Sequence, residues 1–187
     1  FFYDYADLQK SAAVNNSLVT VNAGQAKVSG VELEGRAKVS EAGRINFAIG
    51  LLSAKYKQYA SPNGQDLAGQ SLDRAPDTTI TLGYTHNWDL SSGARLSAYA
   101  GTRYSTSYVL SDTGTQTQAP RFYTQESFTR SDITLTYSSM DDRWSAEAFV
   151  KNIEDKGQVA SLFTNAGSSY ATLTDPRTVG IRGTFKF

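Results

Sequence analysis

Few side chains in this sequence of 187 residues could do catalytic or metal chemistry. It has no cysteine, which excludes disulfides and thiolate sites. His86 is the single histidine, so a histidine-rich metal site is excluded too. A general base needs an orienting partner, whereas the residues two positions from His86 are the aromatic Tyr84 and Trp88. We therefore interpret His86 as an interfacial residue and predict no catalytic residue, no metal site and no cofactor.

Two carboxylate pairs have a spacing that acid–base or metal chemistry would use. The pair at 141–142 lies in a short polar segment, which favours a solvated turn over a metal site. Glu32 and Glu34 share one side of a predicted strand, and Arg36 and Lys38 follow on that side. The interleaving of acidic with basic residues indicates a ladder of charge along a wall rather than a catalytic pair.

Composition narrows the class of protein. Eighteen basic and 18 acidic residues give a formal net charge of zero, so we predict no nucleic-acid partner. The 11 tyrosines, against one methionine, are typical of β structure. No apolar run reaches the roughly 18 residues of a transmembrane helix, but a barrel strand needs only about 9–11 alternating residues. The chain opens on an aromatic run without methionine, so we interpret it as a fragment.

The last ten residues show most clearly the alternation of apolar and polar residues from which the strands are predicted. Val179, Ile181 and Phe185 alternate with polar residues such as Arg182 and Lys186, so the two sides of a strand differ in polarity. The same alternation recurs along the chain and predicts about eight strands, the third with an irregularity near residues 51–52. These predicted strands cover approximately residues 1–9, 28–39, 45 to 56 or 59, 76–85, 95–104, 132–138, 144–151 and 178–187.

The connections between these strands alternate in length. Every second connection is a tight turn, and the long connections, at residues 60–73, 111–126 and 154–175, are roughly three to five times longer, as in outer-membrane barrels. Charge is nearly absent from the apolar sides, where a charge facing lipid would cost about 2–4 kcal/mol. The sequence therefore predicts an all-β, antiparallel, up-and-down transmembrane β-barrel wall that contacts outer-membrane lipid.

Such a wall has a polar side that faces a watery lumen and long loops at its outer end. The residues predicted to face the lumen are Glu32, Glu34, Arg36, Arg103, Glu147, Lys151 and Arg182. The loop or loop-edge aromatics that could contact a small-molecule ligand are Tyr108, Phe122, Tyr123, Phe128, Phe163 and Tyr170. The same aromatics could equally pack the loops against one another.

Four stretches, in this order and spacing, resemble the carboxyl-terminal barrel part of a TonB-dependent outer-membrane receptor. They are residues 30–35 (GVELEG), 72–84 (from LDRAP to LGY), 144–155 (from W to KNIED) and 175–187 (DPRT to the final Phe187). The resemblance covers nearly the whole chain, so residues 1–187 would form one barrel segment.

This resemblance implies a barrel of 22 strands in a bacterial outer membrane, with an amino-terminal plug and a TonB-contacting segment outside this chain. It implies a transport receptor rather than an enzyme. The receptor would import a scarce ligand, such as a ferric siderophore, with energy from the inner-membrane TonB complex. Phe187 would resemble the signal that the barrel-assembly machinery recognises.

Two alternatives remain open at this point. A complete eight-stranded outer-membrane barrel, structural or lipid-modifying, would have an interior filled by large side chains, whereas Gly83, Gly101 and Gly180 lie on the inward side. A soluble β-sandwich or lipocalin-like barrel would instead bury apolar residues such as Leu82 and Leu135 beneath a second sheet.

Overall fold

The structure is a computed structural model that describes residues 1–14, 17–22, 24–59, 66–111, 124–165 and 168–187. The described part of the chain is all β, as the alternation predicts. Its strands are β1 (Phe2–Tyr5), β2 (Gln9–Val14), β3 (Ser17–Asn22), β4 (Gln25–Lys38), β5 (Gly43–Gln58), β6 (Thr78–Asp89), β7 (Arg95–Ser105), β8 (Tyr108–Val109), β9 (Thr124–Gln125), β10 (Phe128–Ser138), β11 (Trp144–Lys151), β12 (Val159–Asn165), β13 (Ser168–Leu173) and β14 (Thr178–Phe185). No helix among these residues is long and apolar enough to cross a membrane.

Eight strands form one antiparallel sheet in the order β1-β4-β5-β6-β7-β10-β11-β14. These are the eight predicted strands, so the up-and-down order is confirmed. Three further pairs, β2–β3, β8–β9 and β12–β13, lie within the long connections. The prediction of plain loops there was wrong, because short segments of these connections pair with each other.

The two ends of the sheet differ in the lengths of their connections. Residues 39–42, 90–94 and 139–143 are tight turns at one end, the short-turn end. Residues 6–24, 59–77, 106–127 and 152–177 connect strands at the opposite end, the long-loop end. The turns close on backbone hydrogen bonds such as Leu90 N to Ala94 O at 2.8 Å, and Gly93 adopts φ 81°, which a residue with a side chain rarely accepts. The predicted alternation of short and long connections is confirmed.

One face of the sheet is apolar from strand to strand, because directly opposite residues share a face. Leu135, for example, lies opposite Ala98 on β7 and Ala148 on β11. Leu135 is 44% exposed and Ile181 is 89% exposed, so no second sheet covers them. The burial expected of a soluble sandwich is therefore not observed.

The sheet has two edges within the described residues. β1 pairs with β4 alone, and β14 pairs with β11 alone. The wall is therefore open and does not close into an eight-stranded barrel, which argues against the small-barrel alternative.

A small core lies at the long-loop end, on the face opposite the apolar one. Ala26, Tyr56, Tyr59 and Leu67 are buried there, with Leu8 and Leu72 packed against them. The predicted irregularity at residues 51–52 was wrong, because the pairing of β4 with β5 is continuous there and shifts only at Gln25. Leu51 faces outward, whereas residue 52 belongs to the face that carries this core, so adjacent leucines need no bulge.

Candidate functional site

The second face of the sheet, the polar face, carries the charged residues of the strands. One row of directly paired residues runs from Glu34 through Ala48 and Thr81 to Arg103 and Arg130. The pairing places all seven residues predicted to face a lumen on this one face: Glu32, Glu34, Arg36, Arg103, Glu147, Lys151 and Arg182.

One acidic residue of β11 and one basic residue of β14 neutralise each other. Glu147 and Arg182 lie opposite each other and form an ion pair of 3.4 Å. The Arg182 guanidinium lies 5.9 Å from the centroid of the Phe149 ring, and the Lys151 ammonium lies 5.4 Å from it. The Phe149 ring covers Gly180, where an added Cβ would collide with it. The Phe149 ring therefore fills this corner of the polar face, between the ion pair and the Lys151 ammonium.

Arg103 and Arg130 differ, because they lie directly opposite each other on β7 and β10. Within the part of the chain that the structure describes, neither guanidinium forms an ion pair or a hydrogen bond. The neighbouring carboxylate of Asp132 accepts a hydrogen bond of 2.8 Å from the Asn152 backbone N–H. Like charges directly across a strand pair repel each other, so this position holds an excess of positive charge.

Neutral polar groups lie one row nearer the short-turn end. Gly83 and Gly101 are directly opposite each other, and their missing side chains leave room for two larger neighbours. The Asn46 amide lies over Gly83, and the Tyr99 hydroxyl lies over Gly101. With the two arginines, Asn46 and Tyr99 form what we call the donor patch: Asn46, Tyr99, Arg103 and Arg130.

The donor patch borders an open depression of about 370 Å³ on the polar face. Glu34, Arg36, Asn46, Ala48 and Thr81 are among the residues that line it. The depression holds one carboxylate and one guanidinium, with small residues between them. Together these groups can bind a polar ligand that carries negatively charged oxygens, because the planar guanidinium fork suits such groups.

Of the six loop aromatics, the structure describes the side chains of three, and these differ in exposure. Tyr170 on β13 is 66% exposed, and Tyr108 on β8 is half-buried. Phe163 lies on β12, where its backbone pairs with that of Tyr170. Phe128 is the first residue of β10, beside the connection that precedes it, and is buried opposite Ser105. Phe122 and Tyr123 lie outside the described residues.

A buried asparagine ties the strands together where β11 ends. Asn152 is fully buried and has a φ of 54°, a left-handed conformation that asparagine tolerates better than most residues. Its Nδ2 donates to the backbone carbonyls of Lys156 at 3.2 Å and Asp175 at 3.1 Å. Its Oδ1 accepts from the Lys156 N–H at 3.3 Å. All the polar atoms of this buried side chain are therefore paired.

Two carboxylates near Asn152 add further contacts between the segment after β11, β10 and the segment before β14. Glu154 accepts hydrogen bonds from the Ser131 N–H at 2.8 Å and the Ser131 hydroxyl at 2.6 Å. Desolvation is the largest single effect on Glu154 and raises its pKa, but the bonds from Ser131 outweigh it, so the pKa is lowered. Asp155 accepts the Arg177 N–H at 2.8 Å and pairs with its guanidinium at 3.2 Å. The pKa of Asp155 is lowered, first by the Arg177 backbone hydrogen bond and then by its charge.

The lowered pKa of Asp155 predicts an acid-sensitive connection. Since the folded-state pKa lies below the ordinary value of about 3.9, the contribution to stability is complete above about pH 4. It is lost as the pH falls through the lowered pKa. Asp155→Asn should flatten this part of the pH dependence of unfolding, measured by urea titration in lipid vesicles.

Asp142→Asn is the matched control for that measurement. Asp142 lies in a short turn with φ 52°, which asparagine also accepts. This variant should keep the loss of stability that appears as the pH falls below about 4. The interpretation is contradicted if Asp142→Asn flattens the profile as much as Asp155→Asn does.

His86 lies on the apolar face near the short-turn end. Its Nδ1 is 2.8 Å from the Tyr84 hydroxyl, and its ring lies 4.4 Å from that of Trp88. Tyr137 and Trp144, with rings 5.1 Å apart, lie at the same end. A histidine among aromatic rings fits the predicted interfacial role. Over the described stretches, no group of three or more histidine and carboxylate residues could hold a metal ion.

A family model of the TonB-dependent receptor-like β-barrel matches residues 1–153. This chain belongs to the TonB-dependent receptor β-barrel family. The resemblance seen in the four sequence stretches is therefore confirmed. No curated protein sequence matches the chain.

Solved TonB-dependent siderophore receptors share the fold of this chain. The ferric yersiniabactin uptake receptor FyuA from Yersinia pestis is similar to this chain, with a TM-score of 0.77 and 18% identity. The similarity covers 100% of this chain and 26% of the FyuA chain. The siderophore receptor PiuA from Acinetobacter baumannii is similar with a TM-score of 0.69 and 18% identity. The similarity covers 97% of this chain and 24% of the PiuA chain. The ferric-catecholate import receptor Fiu from E. coli K12, in its closed form, is similar with a TM-score of 0.68 and 19% identity. The similarity covers 97% of this chain and 23% of the Fiu chain.

The chain therefore spans about a quarter of the length of the TonB-dependent receptors that it matches. These receptors are outer-membrane proteins, and their family is one of transport receptors. At such low identity the likeness shows the fold of the barrel segment alone.

Sequence reasoning identified Arg103 alone among the four residues of the donor patch, and it missed the buried Asn152. Arg130 falls before the predicted start of the sixth strand, but the observed strand begins at Phe128 and places Arg130 opposite Arg103. Alternation from Arg130 through Asp132 to Thr134 was the available signal. Asn152 gave no signal beyond the resemblance, because its partners Lys156 and Asp175 are brought to it only by the fold.

Proposed function

We propose that residues 1–187 form the carboxyl-terminal part of the barrel wall of a larger, 22-stranded TonB-dependent receptor in a bacterial outer membrane. The receptor takes up a scarce ligand, such as a ferric siderophore, with energy from the inner-membrane TonB complex, and it is not an enzyme. The observation that carries this proposal is an exposed apolar face backed by a charged polar face on an open sheet.

In this proposal the apolar face contacts lipid and the polar face lines the lumen. The reverse arrangement would place guanidinium and carboxylate groups in hydrocarbon, at about 2–4 kcal/mol for each cation near the midplane. The short-turn end is periplasmic and the long-loop end is external, as in other outer-membrane barrels. The aromatic cluster of Tyr84, His86 and Trp88 then lies at the periplasmic interface, which suits amphipathic rings.

The donor patch supports a ligand with negatively charged oxygens. Arg103 and Arg130 supply two guanidinium groups, which bind carboxylate and similar oxygen groups through paired hydrogen bonds. FyuA and Fiu are named for ferric ligands, which is consistent with this chemistry. Tyr108 and Tyr170 remain candidates for ligand contact from the outer connections, together with Phe122, Tyr123 and Phe163.

Two macromolecular partners belong to the same proposal. The TonB complex would engage an amino-terminal part of the receptor rather than these residues. The barrel-assembly machinery would recognise Phe187, whose ring lies 5.4 Å from that of Phe185 and is fully exposed. An exposed aromatic pair at the end of an edge strand is accessible to such a partner.

A growth experiment tests the proposed transport. The receptor is expressed in cells without other iron receptors, and growth is measured on a panel of ferric chelates as sole iron sources. We expect growth on at least one chelate, with loss of that growth when TonB is deleted. Growth on no chelate, or growth that is independent of TonB, would contradict uptake of this kind.

The donor patch makes a sharper prediction within that assay. Arg103→Gln with Arg130→Gln should raise the half-saturating chelate concentration about tenfold, because two charged hydrogen bonds are lost. The control combines Arg95→Gln with Arg143→Gln, which removes two arginines at the short-turn end. Initial uptake of radioactive iron gives both values. An equal effect of the two double variants would contradict a specific role for the patch.

A further inference from the structure

The outward side of β4 and β5 changes character near the long-loop end. Val31 and Leu51 are directly paired and 64% and 50% exposed, and they are the last apolar residues on this side. The next outward pair is Ser29 with Ser53, and the pair after that is Lys27 with Lys55. The apolar band therefore ends within two residues and is followed by basic residues.

A third lysine joins this pair. Lys57 forms an ion pair of 2.6 Å with Asp4, and Asp4 lies directly opposite Lys27. We call Lys27, Lys55 and Lys57 the lysine patch. Among the described residues the Asp4 carboxylate pairs with Lys57, whereas Lys27 and Lys55 oppose each other across the strand pair, which is unfavourable without a counter-ion.

Protection of a sheet edge does not explain the lysine patch. Lysines often guard exposed strand edges. Here the outer part of β5 is already paired, because the Leu72 N–H donates to the Ala54 carbonyl at 2.9 Å and the Tyr56 N–H donates to Gln70 at 3.0 Å. Lys55 itself forms a bridge with Ser71 in this pairing.

The neighbouring strands end before the row of the lysine patch. Their last outward residues at the long-loop end are Thr78 on β6, Tyr104 on β7 and Thr129 on β10, in the rows of Leu51 and Ile49. Beside β4 and β5, the described part of the sheet reaches the row of the lysine patch only on β1, where Asp4 lies opposite Lys27.

The height of the lysine patch above the apolar band matches a lipid headgroup. Four residues of strand separate Val31 from Lys27, about 13 Å along the strand and about 10 Å along the membrane normal at the usual tilt. The headgroup layer extends about 5–8 Å beyond the hydrocarbon, and lysine stems are long enough to reach down into it. The Lys27 ammonium lies 5.0 Å from the centroid of the Phe2 ring, which is 58% exposed on the same side.

We propose that the lysine patch binds the phosphate groups of lipid headgroups in the outer leaflet. The inference rests on the proposed membrane orientation but not on the transported ligand. Ammonium groups attract an anionic lipid surface, while Phe2, Val31 and Leu51 contact the acyl chains below it. The patch would hold a phosphorylated lipid against β4 and β5 and fix the height of this part of the wall.

Lipid titration of the full-length receptor tests the proposal. The receptor in detergent is titrated with lipid A, a glycolipid with two phosphates, and occupancy is read by native mass spectrometry. Lys27→Gln with Lys55→Gln should weaken binding about twenty-five-fold, since each lysine near an anionic lipid surface strengthens binding roughly fivefold. Lys27→Arg with Lys55→Arg should bind like the wild type.

Three comparisons separate the possible sources of an effect. Lys151→Gln with Lys186→Gln removes two lysines from the polar face and should leave lipid binding unchanged. Lipid A without its phosphates should bind the wild type about as weakly as intact lipid A binds the Gln variant. Free inorganic phosphate at matched concentration should not displace the lipid, because the acyl chains contribute to its binding.

Each outcome is informative about the lysine patch alone. Single variants Lys27→Gln and Lys55→Gln, each expected to weaken binding about fivefold, replace the double variant if it fails to fold. Equal lipid binding by the wild type and the Gln variants would overturn the proposal, as would an equal loss in the polar-face control. Iron uptake is not the readout, so failure of the transport proposal would appear separately.

Discussion

Arginine in place of Leu135 is expected to lower the free energy of unfolding in lipid by about 2–4 kcal/mol. Leu135 is 44% exposed on the apolar face, between Ala98 and Ala148 on the adjacent strands. It lies inside the apolar band, where a guanidinium would have to be dehydrated or drawn to the interface. Urea unfolding of the receptor in lipid vesicles, followed by tryptophan fluorescence, measures the change.

The adjacent residue provides the matched control. Thr136 lies on the polar face, opposite Ser97 and Glu147, so arginine there would meet water and a carboxylate. Thr136→Arg should change the free energy of unfolding by less than about 1 kcal/mol. If the two neighbouring substitutions have the same effect on the free energy of unfolding, the two faces of the wall do not contact lipid and water respectively.

Alanine in place of Asn152 is expected to cost about 3–4 kcal/mol. The fully buried side chain makes three hydrogen bonds, each contributing about 1 kcal/mol, with the carbonyls of Lys156 and Asp175 and the N–H of Lys156. Alanine would also have to adopt a φ of 54°, which adds about 1 kcal/mol. The same unfolding assay gives the total.

Two further substitutions divide this cost into its parts. Asn152→Gly relieves the backbone strain but loses the same bonds, so it should be about 1 kcal/mol less damaging than alanine. Asn152→Asp keeps one acceptor but directs a carboxylate oxygen at two carbonyls, so it should be at least as damaging as alanine. If glycine and alanine are equivalent and both are mild, Asn152 does not hold the connection between β11 and β14.

The wall could be predicted from the sequence because its signal is local. Alternating polarity over a strand needs no information about partners, and it identified all eight strands of the sheet. The lengths of the connections then showed which strand ends lie together at the short-turn end and which lie at the long-loop end. The three outer hairpins were missed because their strands are short, and a segment such as residues 168–173 has too few apolar residues to alternate clearly.

The candidate site was harder to predict because its groups meet across strands. Arg103 and Arg130 are 27 positions apart, and only the pairing of β7 with β10 makes them neighbours. The lysine patch was hidden for a similar reason, since Lys27 precedes the predicted start of its strand. The glycines on the polar face suggested a wide lumen, but Asn46, Tyr99 and Phe149 lie over three of them. Side chains that lean onto a neighbouring strand are not visible in an alternation pattern.

The opposed faces of the wall can be tested along one strand. A nitroxide label is placed in turn at residues 132–137 of β10 in the receptor in lipid vesicles, and its collisions with oxygen and with a water-soluble nickel chelate are measured. Oxygen collects in lipid, so we predict high oxygen access at Ile133, Leu135 and Tyr137, and high nickel access at Asp132, Thr134 and Thr136. Protection of both sets from both probes, or access that rises and falls together, would contradict a wall between lipid and water.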